Sequence, residues 1–351
     1  MRTFARSATG ENCRSLRAVR SLIRWDEWYD SKVPLLFISF YQICLVQATP
    51  PRQVLVLFAL VTGFACLYLA FGYLINDYSD READRAAGKQ KMISSLPGSA
   101  IVVLLCLLGL AGMAIPVFLI SDHVLAVGLT AIAYFFAAFY SMPPIRFKER
   151  GVWGLVVSAV AQRSLLSLIV FAIFDRYALD TWLLFLLFGL VGVRWILVHQ
   201  LIDLQNDLET GVSTFASHVG RARTQTLTRW VIFPLELVCL VTLWVYEVAR
   251  FPGLWIAPLG YALVVAATWV LWKGVDRPYS FTSFDRQPLS DLYYVCWPIG
   301  LALALAFREP VFWLILAFNV LWQGPYLLRH GRTALRLVRS KSGGRQRETA
   351  A

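Results

Sequence analysis

The feature that most constrains this sequence is a series of apolar runs, each long enough to cross a lipid bilayer. About 20 apolar residues in a helix span the roughly 30 Å of hydrocarbon. Ten such runs follow one another along the chain. Their approximate bounds are 33–49, 54–75, 99–120, 123–141, 153–174, 181–202, 230–248, 253–272, 288–307 and 310–328. The sequence therefore predicts an all-α polytopic membrane protein.

Composition excludes the soluble alternatives. Of the 351 residues, 58% are hydrophobic and only 16% are charged. These values are too apolar for a soluble globular chain, and they also exclude a disordered, coiled-coil or collagen-like chain. The six cysteines include no CxxC pair, and all but Cys13 fall in predicted spans, where cysteine behaves as a small hydrophobe. We therefore expect neither a disulfide framework nor a zinc site.

The basic residues predict the orientation of the spans. The chain has 33 Lys and Arg against 22 Asp and Glu, a net charge of +11 that by itself suggests a nucleic-acid partner. With ten spans and the N-terminus inside, 27 basic residues fall on the cytoplasmic side and four in the external loops. Because Lys and Arg accumulate in cytoplasmic loops, we expect a multi-pass protein of the cell (inner) membrane. Its charge then contacts anionic lipid, and no nucleic-acid partner is expected.

Two basic segments flank the predicted membrane domain, residues 33–328. Residues 1–32 lack the apolar core and cleavage site of a signal peptide, so the first span is expected to act as the insertion signal. The same arm contains the aromatic stretch 25–29, which predicts an interfacial helix with its rings among the lipid headgroups. Residues 329–351 are expected to form a basic cytoplasmic tail.

Two acidic stretches interrupt the apolar pattern in the same way, one after the second span and one after the sixth. In the first stretch, Asn76, Asp80 and Asp84 follow one another at intervals of four residues. The second stretch has the same spacing in His199, Asp203 and Asp207. Residues four apart lie on one helical face. The stretches are four spans apart, so they share an orientation, and we expect their acidic faces to converge at the cytoplasmic mouth of a bundle.

The charge of these faces points to a metal. Carboxylates stacked four residues apart repel one another, and carboxylates beside hydrocarbon are costly unless they are neutralised. Oxygen ligands without cysteine favour Mg²⁺ over zinc or copper, and Mg²⁺ typically bridges carboxylates to phosphate. The arrangement is therefore what a diphosphate with a hydrophobic tail requires. The alternative is that each cluster only caps a helix in solvent, but matched spacing on one side of the membrane favours the metal.

A basic loop after the fourth span supports this interpretation. It contains Pro143 and Pro144, which cannot continue a helix, followed by Arg146 and Lys148. These cations are placed to clamp a diphosphate and to stabilise its charge as it leaves. Taken alone, the loop is better explained as a determinant of topology.

At these residues the sequence resembles the UbiA superfamily of intramembrane aromatic prenyltransferases. The first stretch matches the superfamily's first aspartate-rich motif, and Asp203, Asp207 and Gly211 with Ser213 and Thr214 resemble its second. The loop that runs from Tyr140 to Lys148 resembles a third motif. The resemblance covers about residues 33–300. The sequence departs from the superfamily's pattern after the first motif, where Lys89 and Lys91 stand in place of Asn-Arg-Pro.

The resemblance implies a bundle of nine helices, one fewer than the apolar runs, around a central cavity open to the cytoplasm. The implied ligands of Mg²⁺ are Asn76, Asp77, Asp80, Asp84, Asp203 and Asp207. The residues implied to bind the diphosphate are Asn76, Lys89, Lys91, Arg146 and Lys148. The implied catalytic residues are Asp80, Asp203, Arg146, Lys148 and Tyr140. We expect the two lysines to take the electrostatic role of the superfamily's arginine.

The predicted reaction is Mg²⁺-dependent transfer of a prenyl group from its diphosphate to a small aromatic or other electron-rich acceptor. Candidate acceptor-binding residues are Arg163 and Arg194, which are charges inside spans, and His199. Two outcomes on the same fold remain open, namely a membrane terpene cyclase and a phosphoribosyl transferase acting on a polyprenyl phosphate. A cation-coupled transporter also gathers carboxylates around a cavity, although it places them nearer the middle of the membrane.

Overall fold

The computed structural model describes residues 17–47, 50–86, 88, 91–119, 124–272, 280–281 and 287–348, and this part of the chain is helical with no strands. Ten longer helices occupy the positions of the ten predicted spans. They are α1 (Val33–Val46), α2 (Pro51–Ser79), α3 (Gly98–Leu119), α4 (Val124–Ser141), α5 (Val152–Ile173), α6 (Leu179–Thr210), α7 (Arg221–Val248), α8 (Ile256–Trp272), α9 (Leu292–Ala306) and α10 (Phe312–Glu348). The prediction of an all-α fold is confirmed.

Seven of the described helices are long and apolar enough to cross a membrane, and α1 and α9 are apolar but shorter. The protein is therefore an integral membrane protein. Whether nine or ten segments cross stays a prediction. So do the identity of the membrane and the orientation of the bundle.

The burial pattern separates inner from outer helices. Nearly every residue of α1 is buried, so this helix lies within the bundle rather than at its surface. By contrast, α3 exposes apolar side chains such as Leu110 along much of its length. Apolar exposure of this kind suits contact with lipid chains, because those chains solvate leucine as well as a protein core does.

The inner helices α5 and α6 approach each other closely. A Cβ atom at Gly192 would lie 2.8 Å from the Cα of Ala159, so only glycine permits this contact. Small residues at helix crossings are how membrane bundles bring backbones together. The contact lies just before the part of α5 that contains Gln162 and Arg163, and the next residue, Ser164, hydrogen-bonds to the carbonyl of Phe185 on α6.

The described part of the N-terminal arm packs onto the bundle. Trp28 and Tyr29 are buried, and the ring of Trp25 lies 5.2 Å from that of Trp322 on α10. The described arm consists of a helical turn at 17–22 and a 3₁₀ turn at Trp25–Glu27, and Trp322 of α10 offers an aromatic surface to its rings. The interfacial position of the arm stays a prediction. Beyond Trp322, α10 continues without a break into the predicted tail.

Candidate active site

Both acidic stretches line a single cavity of about 1880 Å³. Asn76 and Asp80 lie at the end of α2, Asp84 lies on the short helix Arg81–Ala86 that follows, and Asp203 and Asp207 come from the end of α6. The loop after α4 adds Tyr140, Arg146 and Lys148 to the same wall. Three segments that are far apart in the sequence therefore meet at one end of the bundle, as their spacing and orientation predicted.

Asp80 is paired with the basic loop. Its Oδ1 atom accepts a hydrogen bond from the Nζ of Lys148 and lies 3.7 Å from Nη2 of Arg146. Glu149 also accepts a hydrogen bond of 2.8 Å from Nε of Arg146. That bond raises the pKa of Arg146, so the guanidinium stays charged. The predicted diphosphate clamp thus contacts a motif carboxylate in this structure.

Lys91 joins the two remaining aspartates of the first stretch. Its Nζ lies 2.7 Å from Oδ1 of Asp77 and 2.7 Å from Oδ2 of Asp84. Burial lowers the pKa of Lys91, but its hydrogen bonds to the two carboxylates outweigh burial and raise the pKa above its usual value. Lys89, also predicted to bind the diphosphate, lies outside the described residues.

Asp77 points away from the cavity. Successive residues of a helix are rotated by about 100°, so Asp77 cannot share the face of Asn76 and Asp80. Its side chain is 4% exposed, and among the described residues it is not part of the cavity wall. In addition to Lys91, it binds Nη1 of Arg24 at 3.1 Å. This position differs from that expected of a metal ligand.

The second stretch is shaped by the turn that follows it. Asp203 lies 2.8 Å from Nδ1 of His199, one turn earlier on α6. Gly211 ends the helix with a φ of 70°, a left-handed conformation that favours glycine. The chain then returns so that the hydroxyl of Thr214 donates a 3.2 Å hydrogen bond to Oδ2 of Asp207. Thr214 also caps the helix Phe215–Val219. The glycine and threonine of the motif therefore position its last aspartate.

The three candidate acceptor-binding residues have different surroundings. His199 and Arg163 line the cavity, and Arg163 is only 6% exposed. Arg194 is fully buried, and within the described part of the chain it does not reach the cavity wall. Its Nε and Nη2 bind both carboxylate oxygens of Glu236 at 2.6 and 3.0 Å. A carboxylate of the protein thus occupies the position expected for an acceptor.

Sequence reasoning missed several cavity residues. Lys32 precedes α1, and it is 5% exposed and donates a hydrogen bond to the hydroxyl of Tyr73. Tyr294 of α9 is buried and lines the cavity together with Arg163. Lys32 resembled one more topology determinant in the sequence. The available signal was that Tyr73 lies seven residues before Asp80 and so shares its helical face.

The oxygen donors suit a hard divalent cation in type and in placement. As the described side chains stand, no three of the His, Cys, Asp and Glu groups are close enough together to hold an ion. Protein cations occupy the carboxylates instead, since Lys148 binds Asp80 and Lys91 binds Asp84. A cation bound here would have to displace these two lysines, each of which ends a flexible side chain.

The fold and the cavity define a helical integral membrane protein with two aspartate-rich motifs at one end. The sequence matches the model of the UbiA prenyltransferase family over residues 35–286. The chain belongs to this family, as the resemblance of its motifs indicated, and this membership indicates a prenyltransferase. A comparison with curated proteins found no match.

Solved structures with similar folds include two of a UbiA homologue from Archaeoglobus fulgidus. The one bound to GPP and Mg²⁺ has a TM-score of 0.53 and 18% identity, covering 84% of this chain and 99% of that chain. The one bound to DMAPP and Mg²⁺ has a TM-score of 0.52 and 17% identity, with coverages of 84% and 98%. A structure of digeranylgeranylglyceryl phosphate synthase has a TM-score of 0.50 and 16% identity, covering 92% and 99%. At these identities the likeness is one of fold.

Proposed function

We propose that this protein transfers a prenyl group from a prenyl diphosphate to a small, electron-rich, anionic acceptor, with Mg²⁺ as its metal. The observation that carries the proposal is the convergence of Asp80, Asp84, Asp203 and Asp207 on one cavity of a UbiA-family bundle. The similar structures bound to GPP or DMAPP with Mg²⁺ support the same assignment.

The residues that would hold Mg²⁺ are the oxygen donors of the cavity wall. They are Asn76, Asp80, Asp84, Asp203 and Asp207. When bound, Mg²⁺ neutralises the diphosphate and makes it a better leaving group. Asp77 is left out of this set because its carboxylate faces Arg24 and Lys91.

In the proposed reaction the basic loop binds first Asp80 and then the diphosphate. In this structure Lys148 and Arg146 lie against Asp80. If Asp80 held a metal ion, Lys148 and Arg146 would be free to bind the diphosphate oxygens. They then stabilise the negative charge that grows on the leaving group as the C1–O bond breaks. Tyr140 lines the same cavity.

The transfer step requires that water be kept from C1 of the prenyl group. The C1–O bond breaks with its electron pair going to the diphosphate, the acceptor attacks C1, and the acceptor's proton passes to the departing diphosphate. Apolar groups line the part of the cavity next to the motifs, and they suit a hydrocarbon tail. Among them are Leu69, Phe136, Ala137, Val157 and Ala161.

The acceptor site is assigned to the buried cations Lys32 and Arg163. Both line the cavity, and among the described residues neither has a carboxylate at ion-pair distance. Lys32 is hydrogen-bonded to the hydroxyl of Tyr73, and the Nε of Arg163 is buried without a hydrogen-bond partner in the described part of the chain. Tyr73 lies seven residues before Asp80, about 10 Å along α2. Two nearby buried cations favour an anionic group, so we assign them the acceptor's carboxylate or phosphate. His199, beside Asp203, completes the predicted set.

The proposed setting is the inner membrane of the cell, with the cavity open to the cytoplasm. Support for this orientation comes from the excess of basic residues in the loops at the cavity's end of the bundle. Lipid contacts are assigned to the apolar faces of the outer helices and to the basic tail.

The experiment that tests the function uses the purified protein in lipid nanodiscs with labelled prenyl diphosphates. Acceptors are 4-hydroxybenzoate, naphthoates and homogentisate, with and without Mg²⁺. We expect Mg²⁺-dependent diphosphate release and a prenylated product, both lost in Asp80→Asn and Asp203→Asn. The matched controls are Glu82→Gln and Glu209→Gln, exposed carboxylates near the same helix ends.

The products also separate the alternatives. A cyclic hydrocarbon formed without an acceptor would indicate a terpene cyclase, and transfer from a phosphoribosyl donor to a polyprenyl phosphate would indicate a phosphoribosyl transferase. Absence of diphosphate release with any chain length, together with cation flux in liposomes, would replace the proposal with a transporter.

A further inference from the structure

The segment 24–32, here called the clasp, bridges two parts of the bundle. On one side it is held by α10, where Nε1 of Trp322 donates a 2.8 Å hydrogen bond to the carbonyl of Tyr29. Arg329 of the same helix forms an ion pair with Asp30. Trp25 stacks on Tyr29 with ring centroids 5.4 Å apart and also packs against Trp322. The C-terminal helix therefore fixes the outer edge of the clasp.

The inner edge of the clasp forms part of the cavity wall. Arg24, Glu27, Asp30 and Lys32 all line the cavity. Arg24 has both its nitrogens Nε and Nη2 bound by Glu27 at 2.6 Å. This internal pair holds the guanidinium in position, so that its remaining nitrogen Nη1 is directed at the first acidic stretch.

Asp77 accepts the hydrogen bond from Nη1 of Arg24. Its Oδ1 accepts hydrogen bonds from Nη1 of Arg24 at 3.1 Å and from Nζ of Lys91 at 2.7 Å. Lys91 comes from the loop after α2, and it also holds Asp84 at 2.7 Å. One nearly buried carboxylate thus joins the clasp, the end of α2 and the following loop. Both cations bind Oδ1, and the carboxylate that they hold is not part of the described cavity wall to which Asp80 and Asp84 belong.

We propose that Asp77 is a positioning residue that anchors the clasp to the first acidic motif and closes the cavity wall beside Asp80, and that it is not a metal ligand. The proposal deepens the proposed function, on which its consequence for water exclusion rests. With the clasp anchored, water reaches C1 slowly. With Asp77 neutralised, Arg24 keeps Glu27 but loses its ion pair with the end of α2, and the segment loosens there while α10 and the Lys32–Tyr73 bond still hold it.

The test measures the clasp directly, by hydrogen exchange of the amides of residues 24–32 in nanodiscs. We expect Asp77→Asn and Arg24→Gln each to speed exchange about tenfold, as loss of a local anchor does. Because both remove the same contact, the double variant is expected to match the single variants. Asp80→Asn, a neighbouring carboxylate without a contact to the clasp, and Glu82→Gln serve as controls with unchanged exchange.

Metal binding gives a second readout that needs no turnover. Mn²⁺ alone is titrated and followed by electron paramagnetic resonance. The affinity of Asp77→Asn is expected to stay within about twofold of the parent, whereas Asp80→Asn loses about tenfold or more, as expected for a ligand. If Asp77→Asn fails to fold, Arg24→Gln still reports both quantities. Loss of Mn²⁺ binding in Asp77→Asn with unchanged clasp exchange would overturn the proposal.

A third readout connects the clasp to the reaction. Water attack at C1 gives the prenyl alcohol and diphosphate, whereas transfer gives the prenylated acceptor. In Asp77→Asn and Arg24→Gln we expect the share of prenyl alcohol to rise several-fold. If no prenyl diphosphate is turned over by the parent protein, the proposed function fails, while the exchange and Mn²⁺ measurements still decide the role of Asp77.

Discussion

Arg194 and Glu236 form a two-pronged ion pair in which both side chains are fully buried. Gln287 and Tyr293 complete it, since the Gln287 oxygen accepts from Nη1 at 2.6 Å and the Tyr293 hydroxyl donates to Glu236 at 2.9 Å. The pair joins α6 to α7 and α9 within the bundle. It explains why an arginine can lie inside a predicted span without facing the cavity.

Removing one member of this pair is expected to destabilise the protein. Arg194→Met or Glu236→Gln leaves the other group buried with an unmet charge, which costs about 3–5 kcal/mol. We expect a lower midpoint of thermal unfolding in detergent for each variant, and a smaller loss for Arg194→Met combined with Glu236→Leu. Arg250→Gln, at an exposed site, is the control and should leave the midpoint unchanged. A single variant as stable as the parent would contradict the assignment.

Lys148→Gln is expected to separate metal binding from turnover. The lysine pairs with Asp80, so its removal frees that carboxylate and lowers the Mg²⁺ concentration needed for half-maximal activity. It also removes a cation from the leaving group, which should lower kcat about 100-fold. Arg150→Gln in the same loop is the matched control, because Arg150 binds the carbonyl of Ile145 outside the cavity. If Lys148→Gln lowered kcat and also raised the Mg²⁺ concentration needed for half-maximal activity, the proposed exchange of Lys148 between Asp80 and the diphosphate would be contradicted.

If Lys32 binds the acceptor as proposed, acceptor binding should depend on pH. Burial and then the charge of Arg163 lower its pKa well below the usual lysine value, against the opposing effect of Glu27 and Asp30. As pH rises through this lowered pKa, Lys32 loses its charge and an anionic acceptor binds less tightly.

We therefore expect the acceptor KM to rise at a pH where an ordinary lysine is still protonated. Lys32→Gln should raise that KM by about 10-fold or more at low pH, the value of one charged hydrogen bond, and should flatten the profile. The KM for the prenyl diphosphate should change little. Arg81→Gln, a cation bound to a backbone carbonyl away from the cavity, is the control. A pH profile that is the same in Lys32→Gln and the parent would remove Lys32 from the acceptor site.

Gly211→Ala tests the turn after the second acidic stretch. At a φ of 70° an alanine is strained by about 1–2 kcal/mol, and relief of the strain would move Thr214 away from Asp207. We expect a lower unfolding midpoint and a higher Mg²⁺ requirement. Gly260→Ala is the matched control, since a Cβ there meets open space within a helix, and it should match the parent in both measurements.

Much of the fold was predictable because hydropathy alone marks helices that cross a bilayer. The acidic site was predictable for a related reason, since residues four apart share a face wherever a helix forms. The same rule distinguishes Asp77 from Asp80, because a residue one position after Asn76 lies about 100° around the helix. The sequence pattern therefore contained the signal, but the family motif drew attention to the aspartates as a group.

Long-range partners could not be predicted from one sequence. Arg194 meets Glu236 42 residues later, and Trp322 reaches Tyr29 across 293 residues. Each residue alone fits a simpler explanation, a charge at a substrate site or a ring among headgroups. Only the packing of the helices shows that each has a partner within the protein.

The contacts between α10 and the clasp determine when, during synthesis of the chain, the cavity wall can be completed. Trp322 and Arg329 emerge from the ribosome only after both aspartate motifs, because they follow them in the sequence. The wall beside the first motif therefore stays incomplete until α10 docks. In a nascent chain without α10, water would reach the cavity beside the first motif, so prenyl transfer without loss to water should begin only once α10 is in place.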